Sequence, residues 1–342
     1  MHRSPRTWFN ILQLSATLIG CAEAATPAAD GGGSGQRAME LGSAGTAEST
    51  GGEAHTGAKL TGTFTLHFNP PVEAKSGTPA RPAQSSFIGS ANDGPMPAAN
   101  TWIKELDANG CTLYTPKAPF CDPGCGVSAV CVSDDQCVPH PTSQTLGTIH
   151  LGGVGESEIS MTPIANKYQP GSGTILPFPP CAEGKEVQLR VEGGTYSAFT
   201  LAATCISELK FDGPVKITRG QPMKLHWSAP GNADLARIQV HVDISHHGGA
   251  RGKIDCDLKD TGSFDVPAAL VDKLVELGVS GFPTVVLARV SAGGVKSGEQ
   301  NQVKLVVQES IEREIEIDGL VSCTEDSDCP APKTCQIDLQ CN

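Results

Sequence analysis

Apolar and polar residues alternate strictly in several short stretches of this 342-residue chain. The clearest example is FTLHF at residues 64–68, and the same period runs through residues 223–227 and 238–244. Because successive side chains of a strand point to opposite faces, this pattern predicts half-buried β-strands. Further strands, the first of them apolar on both faces and so central in a sheet, are predicted at residues 284–290, 303–307 and 311–317.

Turn residues between such stretches predict β-hairpins. Asn-Gly and Gly-Gly pairs supply the positive φ angles that a two-residue turn requires. The two predicted turns are Asn109-Gly110, between residues 102–106 and 111–115, and Gly193-Gly194, between residues 186–191 and 196–203.

A single helix is predicted after Pro267, where apolar residues recur at helical spacing and Gly278 provides a C-terminal stop. Many short strands with one helix are typical of a β-sandwich. The sequence therefore predicts a mainly β fold, an antiparallel β-sandwich with one short helix, flanked by two small disulfide-stapled cysteine-rich modules. The predicted segments are a signal peptide (1–20), a lipidated disordered Gly/Ala/Ser/Thr tether (21–62), an N-terminal β segment (63–120), a cysteine-rich module (121–141), the β-sandwich (142–318) and a C-terminal cysteine-rich module (319–342).

The N-terminus has the features of a secretory signal. Arg3 and Arg6 precede a short apolar run, which is less than the roughly 20 residues that a membrane-spanning helix needs. The run ends in LIGC (residues 18–21), which looks like a bacterial lipobox, so Cys21 is predicted to carry a diacylglyceryl group. Cleavage after AEA (residues 22–24) is the alternative. We expect an exported lipoprotein held in the outer membrane or at the cell surface, with the lipid on Cys21 as its only anchor.

The cysteine content agrees with export. Of the 13 cysteines, all but Cys21 remain for disulfides, and an even number in an exported chain indicates bridges rather than thiolate ligands. Two stretches, FCDPGCGVSAVCVSDDQC and CTEDSDCPAPKTCQIDLQC, look like copies of one unit, since both end in C-x-x-D-x-Q-C. Four cysteines permit three pairings, of which we favour the interleaved one. The predicted pairs are Cys121–Cys131, Cys125–Cys137, Cys323–Cys335 and Cys329–Cys341 in these stretches, Cys181–Cys205 across the Gly193-Gly194 turn, and Cys111–Cys256 by elimination.

The formal net charge is −12, which disfavours binding to phosphate backbones and excludes nucleic acid as an expected partner. No phosphate loop, dinucleotide fingerprint or nucleophile elbow occurs in the sequence, so no cofactor is expected. The expected partners are the membrane, through the lipid on Cys21, and an unknown protein or glycan.

The densest polar stretch is DISHHGGARGKIDCDLKDTGSF (residues 243–264), which contains the DTGS of aspartic proteases. Those enzymes need two such aspartates sharing a proton, and no second DTG occurs in the chain. We therefore interpret this DTGS as a tight turn with Asp260 at its first position and Gly262 at its third.

The same stretch offers candidate metal ligands. His241 and Asp243 fall on one face of a predicted strand, and two histidines with a carboxylate could hold zinc or copper. Calcium fits this stretch less well, because Lys259 occupies a position at which the EF-hand pattern requires a ligand. The favoured interpretation is the solvated face of a sheet with no metal bound; the candidates are His241, Asp243, His246, His247, Asp255 and Asp257.

Four stretches, FCDPGCG with its downstream cysteines, DISHHGG, DTGSFDVPAALV and SCTEDSDCP, resemble a group of uncharacterised, cysteine-rich, myxobacterial-type secreted lipoproteins. The resemblance covers most of residues 85–342 and implies a scaffold and a location but no known activity. The Cys181 and Cys205 pair looks like a variation on that pattern. We expect a lipid-anchored cell-envelope protein that serves as a structural or binding module, with no catalytic residues. The alternative is a metal-dependent envelope hydrolase that uses the neighbourhood of His241 to Asp257.

Overall fold

The computed structural model describes residues 60–72, 74, 79–97, 101–247, 249–297 and 302–342. The signal peptide, Cys21 and almost all of the predicted tether lie outside these residues. The chain divides into two compact units, one of residues 1–53 and 72–81 and the other of residues 54–71 and 82–342. In the described part of the first, Val72 and Arg81 exchange two backbone hydrogen bonds of 2.9 Å.

The second unit is mainly β with one helix, as the sequence predicts. The helix α1 is Ala268–Glu276, preceded by Pro267 and followed by Gly278, and Asp326–Asp328 form a single 3-10 turn. The strands are β1 (Thr61–Asn69), β2 (Gln84–Asn92), β3 (Thr101–Ala108), β4 (Cys111–Lys117), β5 (Ala129–Ser133), β6 (Gln136–Pro139), β7 (Ser143–Gln144), β8 (Ile149–Gly152), β9 (Ile159–Met161), β10 (Lys167–Tyr168), β11 (Glu186–Val191), β12 (Phe199–Thr204), β13 (Val215–Ile217), β14 (Met223–His226), β15 (Arg237–Asp243), β16 (Lys253–Lys259), β17 (Ser263–Val266), β18 (Thr284–Gly293), β19 (Val295–Ser297) and β20 (Gln302–Ile317).

One large sheet organises this unit. Its 11 strands follow the order β10-β2-β1-β20-β18-β15-β16-β4-β3, with β7 added beside β2 and β13 beside β20. Most neighbours are antiparallel, but β20 is parallel to β1 and to β13, so the sheet is mixed. A second sheet of five strands has the order β19-β12-β11-β8-β9. Strands β1 to β4, from the predicted N-terminal segment, share the large sheet with strands from residues 142–318.

The large sheet supports two separate hydrophobic cores. In the first, buried residues of β1, β2 and the N-terminal half of β20 cluster with those of the five-stranded sheet, as Phe64, Leu305 and Leu189 illustrate. This arrangement is consistent with the two layers of a sandwich. In the second, buried residues of β15, β16 and β18 cluster with α1 and with the β14–β17 pair, as Val240, Leu270 and Leu225 illustrate. Each core is closed by a different covering layer on the same sheet.

The predicted Asn109-Gly110 hairpin is confirmed. Strands β3 and β4 pair from Ala108 and Cys111 outward, and Asn109 and Gly110 have φ angles of 52° and 82°. The predicted two-residue turn at Gly193-Gly194 is wrong, because the β11–β12 ladder ends at the Val191 and Phe199 pair. The intervening seven residues instead contact the segment just before β8, with Gly193 N donating to Leu146 O at 3.1 Å.

Six disulfides close in the described chain, and their pairs coincide with those expected from the sequence. The two cysteine-rich modules have the same interleaved connectivity. Cys111–Cys256 instead crosses the paired strands β4 and β16, where the two residues face one another. Cys205 follows β12, and Cys181 reaches it from the loop before β11 rather than from a ladder position.

Candidate functional site

The polar face of β15 and β16 carries a histidine–carboxylate pair. The antiparallel register places His241 opposite Asp255, and Nδ1 of His241 lies 2.6 Å from Oδ1 of Asp255. The other carboxylate oxygen of Asp255 is 2.7 Å from the Lys253 ammonium. Burial raises the pKa of Asp255, but the hydrogen bonds from His241 and Lys253 outweigh it, so this pKa lies below its usual value. Asp255 is therefore a carboxylate that holds two side chains in place.

Aromatic rings border this pair on one side. Lys253 places its ammonium 4.5 Å from the centre of the Trp102 ring and 5.5 Å from that of Tyr114. Such contacts between a cation and an aromatic face are favourable. Lys253 is thereby fixed between Asp255 and two rings on β3 and β4, and Trp102 is held at the edge of the histidine face.

The loop after β15 borders the pair on the other side. Oδ1 of Asp243 accepts hydrogen bonds from the backbone N–H of Ser245 at 2.8 Å and from its hydroxyl at 2.9 Å. This local turn directs the chain into His246 and His247, whose rings are tilted by 58° to one another with centres 4.0 Å apart. The backbone of His247 is left-handed, with φ of 65°, which is uncommon for a residue other than glycine.

Together these residues line an open cleft of about 310 Å³, whose walls include Trp102, His241, Asp243, His246 and Lys253. The cleft offers an aromatic ring, imidazole nitrogens, a carboxylate and an ammonium within one small concavity. An arrangement of this kind can stack against a planar or ring-shaped group and exchange hydrogen bonds with it.

The six candidate metal ligands do not converge. Among the described residues, the only groups of three His, Cys, Asp or Glu ligand atoms within 4.8 Å of one another are cysteines of the two disulfide modules. Asp257 points to a different partner, since its carboxylate receives Arg237 Nε at 2.9 Å. A bound metal needs at least three ligands arranged around one point. The metal-dependent hydrolase therefore finds no support in this geometry.

Asp260 of the DTGS stretch lies at a different place in the molecule from the cleft. Gly262 has the turn's positive φ of 92°, but Asp260 is fully buried. Its Oδ2 lies 2.5 Å from Arg289 Nε, and its Oδ1 accepts hydrogen bonds from Arg289 Nη2 at 3.1 Å and from the Trp227 indole at 2.8 Å. The turn was predicted, whereas this buried ion pair was not.

The buried guanidinium of Arg289 donates hydrogen bonds to four residues. Besides Asp260, it donates to the backbone oxygens of Ser207, Glu208 and Ser228 at 3.2, 2.7 and 2.5 Å. Ser207 and Glu208 lie between Ile206 of the first core and Leu209 of the second. Arg289 therefore joins β18 to the segment at which the chain passes from one core to the other.

Glu309 is the strand partner of Arg289 and is also buried. Its Oε2 accepts the backbone N–H of Leu209 at 2.6 Å. Burial raises the pKa of Glu309 to about 7. The hydrogen bond from the Leu209 N–H and the positive charge of Arg289 lower this pKa, whereas the negative charge of Glu208 raises it. The one signal in the sequence is that Glu309 falls among inward positions of β20 whose other buried residues are all apolar.

The C-terminal module is fastened beside the cleft. Gly281 donates to the backbone oxygen of Asp338 at 2.7 Å, and its own oxygen accepts from Gln340 Nε2 at 2.7 Å. The next residue, Phe282, donates its backbone N–H to His246 O at 2.9 Å. Two consecutive residues thus connect the module to the histidine loop.

No family model matches the chain, and no curated protein matches it. Among the described residues, no helix is long and apolar enough to cross a bilayer. The disulfides are consistent with an exported protein.

Proposed function

We propose that this chain is an exported cell-envelope lipoprotein, anchored through Cys21, whose disulfide-stapled β body binds an envelope protein or glycan. Export is supported by the six disulfides, because such bridges persist in oxidising compartments. The lipobox LIGC at residues 18–21 supports the anchor. An outer-membrane or surface location is part of the same proposal.

The observation that carries the binding role is the cleft bordered by Trp102 and the three histidines. The polar groups at its edge are held by defined partners: Asp255 holds His241 and Lys253, and Ser245 holds Asp243. Preorganised side chains reduce the entropy that is lost when a ligand binds. This neighbourhood is thus better suited to recognition than a row of independent surface residues would be.

The anchor is tested with the Cys21→Ser variant in the native host. We expect loss of palmitate labelling and release of the protein from the membrane fraction. Labelling that is unchanged in this variant would overturn the lipid anchor while leaving the cleft unaffected.

The cleft is tested with a His246→Ala/His247→Ala variant of the full chain, retained on envelope fractions in a pull-down. We expect the variant to lose the envelope component that the unmodified chain retains. His226 provides the matched control, because it is an exposed histidine on β14 that does not line the cleft. Equal retention by all three proteins would contradict a binding role for the cleft.

A further inference from the structure

The two cysteine-rich modules are copies of one fold used in different ways. Each pairs its first cysteine with its third and its second with its fourth. Each also has a residue with left-handed backbone just before the glutamine of C-x-x-D-x-Q-C, Asp135 with φ of 57° and Leu339 with φ of 61°. The hairpin that ends each module can therefore be compared position by position.

In the C-terminal module, this hairpin holds a peptide segment of the body. The backbone oxygen of Asp338 accepts the N–H of Gly281, and Gln340 Nε2 donates to the oxygen of Gly281. Ser322 Oγ donates to the same oxygen at 2.8 Å. Gly281 has a φ of 65° and is buried by this contact, and Gln340 is only 3% exposed. The backbone N–H and the backbone oxygen of Gly281 are thus bound by Asp338 and Gln340 of the hairpin, respectively.

The N-terminal module presents the same two positions to solvent. Asp134 and Gln136 correspond to Asp338 and Gln340 in the C-x-x-D-x-Q-C pattern. The Gln136 side-chain oxygen accepts from Ser133 Oγ at 2.7 Å. Within the described part of the chain, neither Gln136 Nε2 nor the backbone oxygen of Asp134 has a hydrogen-bond partner.

The surroundings of these groups are also uncovered. Every residue from 121 to 141 is exposed or half-buried, whereas the C-terminal copy buries two of its cysteines, Cys323 and Cys341. Phe120, which precedes the first cysteine as Ser322 does in the other copy, is 71% exposed. A large aromatic side chain beside free hydrogen-bonding groups is typical of a protein interface.

We propose that the N-terminal module docks a glycine-containing loop of a second polypeptide through two of the three contacts by which the C-terminal module holds Gly281. The third, from Ser322 Oγ, has no counterpart, because Phe120 occupies that position. The bound glycine is in the left-handed conformation, its N–H donates to Asp134 O and its oxygen accepts from Gln136 Nε2. The module has three carboxylates and no lysine or arginine, and Lys117 pairs with only one of them, Asp134. The partner loop is therefore neutral or basic, with an apolar side chain that covers Phe120.

The test uses a cyclic peptide with the sequence VSGFPT of residues 279–284, titrated into the ¹⁵N-labelled full chain and followed by NMR. We expect saturable shifts of the Gln136 side-chain amide and of the backbone amides of residues 131–137. Resonances of residues 335–341 stay in place, because that copy is already occupied. Gln136→Ala should weaken binding about fivefold, as expected for loss of one neutral hydrogen bond, and Gln302→Ala, an exposed glutamine elsewhere, should leave it unchanged.

A second peptide with alanine in place of the glycine should bind about tenfold more weakly, because the left-handed conformation is costly for a residue with a Cβ. Gln136 is exposed, so its replacement is not expected to unfold the module, and unchanged amide dispersion in Gln136→Ala verifies this. Absence of shifts at the solubility limit of the peptide would overturn the proposal. Equal affinity in Gln136→Ala, or equal affinity for the alanine peptide, would overturn it as well.

Discussion

Arg289 and Asp260 form a buried ion pair that connects β18 to the turn after β16, with Arg289 Nε 2.5 Å from Asp260 Oδ2. Neither side chain reaches solvent. Asp260→Asn leaves the guanidinium charge buried without its counter-charge, and such a loss costs about 3–5 kcal/mol of unfolding free energy. Equilibrium denaturation monitored by the fluorescence of Trp227, whose indole donates to Asp260, measures the change.

Asp257→Asn is the matched control for this ion pair. Its partnership with Arg237 is solvent-exposed, so the stability should change little. If the two variants were equally stable, the Arg289–Asp260 pair would not have the structural role assigned to it.

Glu309 should make the protein less stable as the pH rises. Its pKa is about 7 in the folded chain against an ordinary value of 4.5, so the folded state binds the proton more tightly than the unfolded state. The contribution of Glu309 to the free energy of unfolding is fully present below pH 4.5 and is lost progressively up to about pH 7. The total loss is about 3 kcal/mol, from the free energy that corresponds to each unit of pKa.

Glu309→Gln should remove this contribution to the pH dependence and should be more stable than the unmodified chain above pH 7. Urea denaturation at a series of pH values gives both results. Glu314→Gln, on an exposed position of the same strand, should keep the original profile. An unchanged profile in Glu309→Gln would show that another group is responsible.

The disulfides should differ in how much they stabilise the fold. Cys111–Cys256 closes a loop with a sequence separation of 145, and Cys121–Cys131 one with a separation of 10. In the chain-entropy account, removal of the first costs about 5 kcal/mol and removal of the second about 3 kcal/mol. Paired Cys→Ala variants compared by calorimetry measure the difference; a larger loss for the short loop would contradict this account.

Gly293 lies where β18 approaches β12 of the facing sheet. A Cβ at this position would lie 1.4 Å from the backbone oxygen of Ala202, whereas one at the adjacent Gly294 meets nothing within 4 Å. Gly293→Ala must therefore displace backbone and should cost about 3 kcal/mol. Gly294→Ala should have no such cost. Thermal unfolding of both variants tests the close approach, and equal melting temperatures would argue against it.

Local patterns predicted the elements well where burial follows a simple period. The alternation at residues 64–68 lies within β1, and that at residues 238–244 coincides with β15 except for its last residue. The signals at Pro267 and Gly278 bound the helix. Each of these signals depends only on residues that are neighbours in sequence, so it can be recognised without knowledge of the tertiary structure.

Features that depend on contacts between distant segments of the chain were harder to predict from the sequence. Residues 303–307 and 311–317 were predicted as separate strands, but β20 runs without interruption from Gln302 to Ile317. The polar Glu309 between them is buried because Leu209 and Arg289, 100 and 20 residues away, lie against it. The cleft residue Trp102 was likewise absent from the predicted site, since only the strand order brings β3 near the histidines.

Strand β20 contributes Val303, Leu305 and Val307 to one core and Ile315 and Ile317 to the other. A chain truncated on either side of Glu309 would lack the part of β20 that belongs to one of the two cores. Neither half is therefore expected to fold alone. Unfolding of the two cores should accordingly be concerted, and hydrogen exchange should protect the centre of this strand longest. A protease would accordingly find no boundary within β20 at which it could separate the two cores into stable fragments.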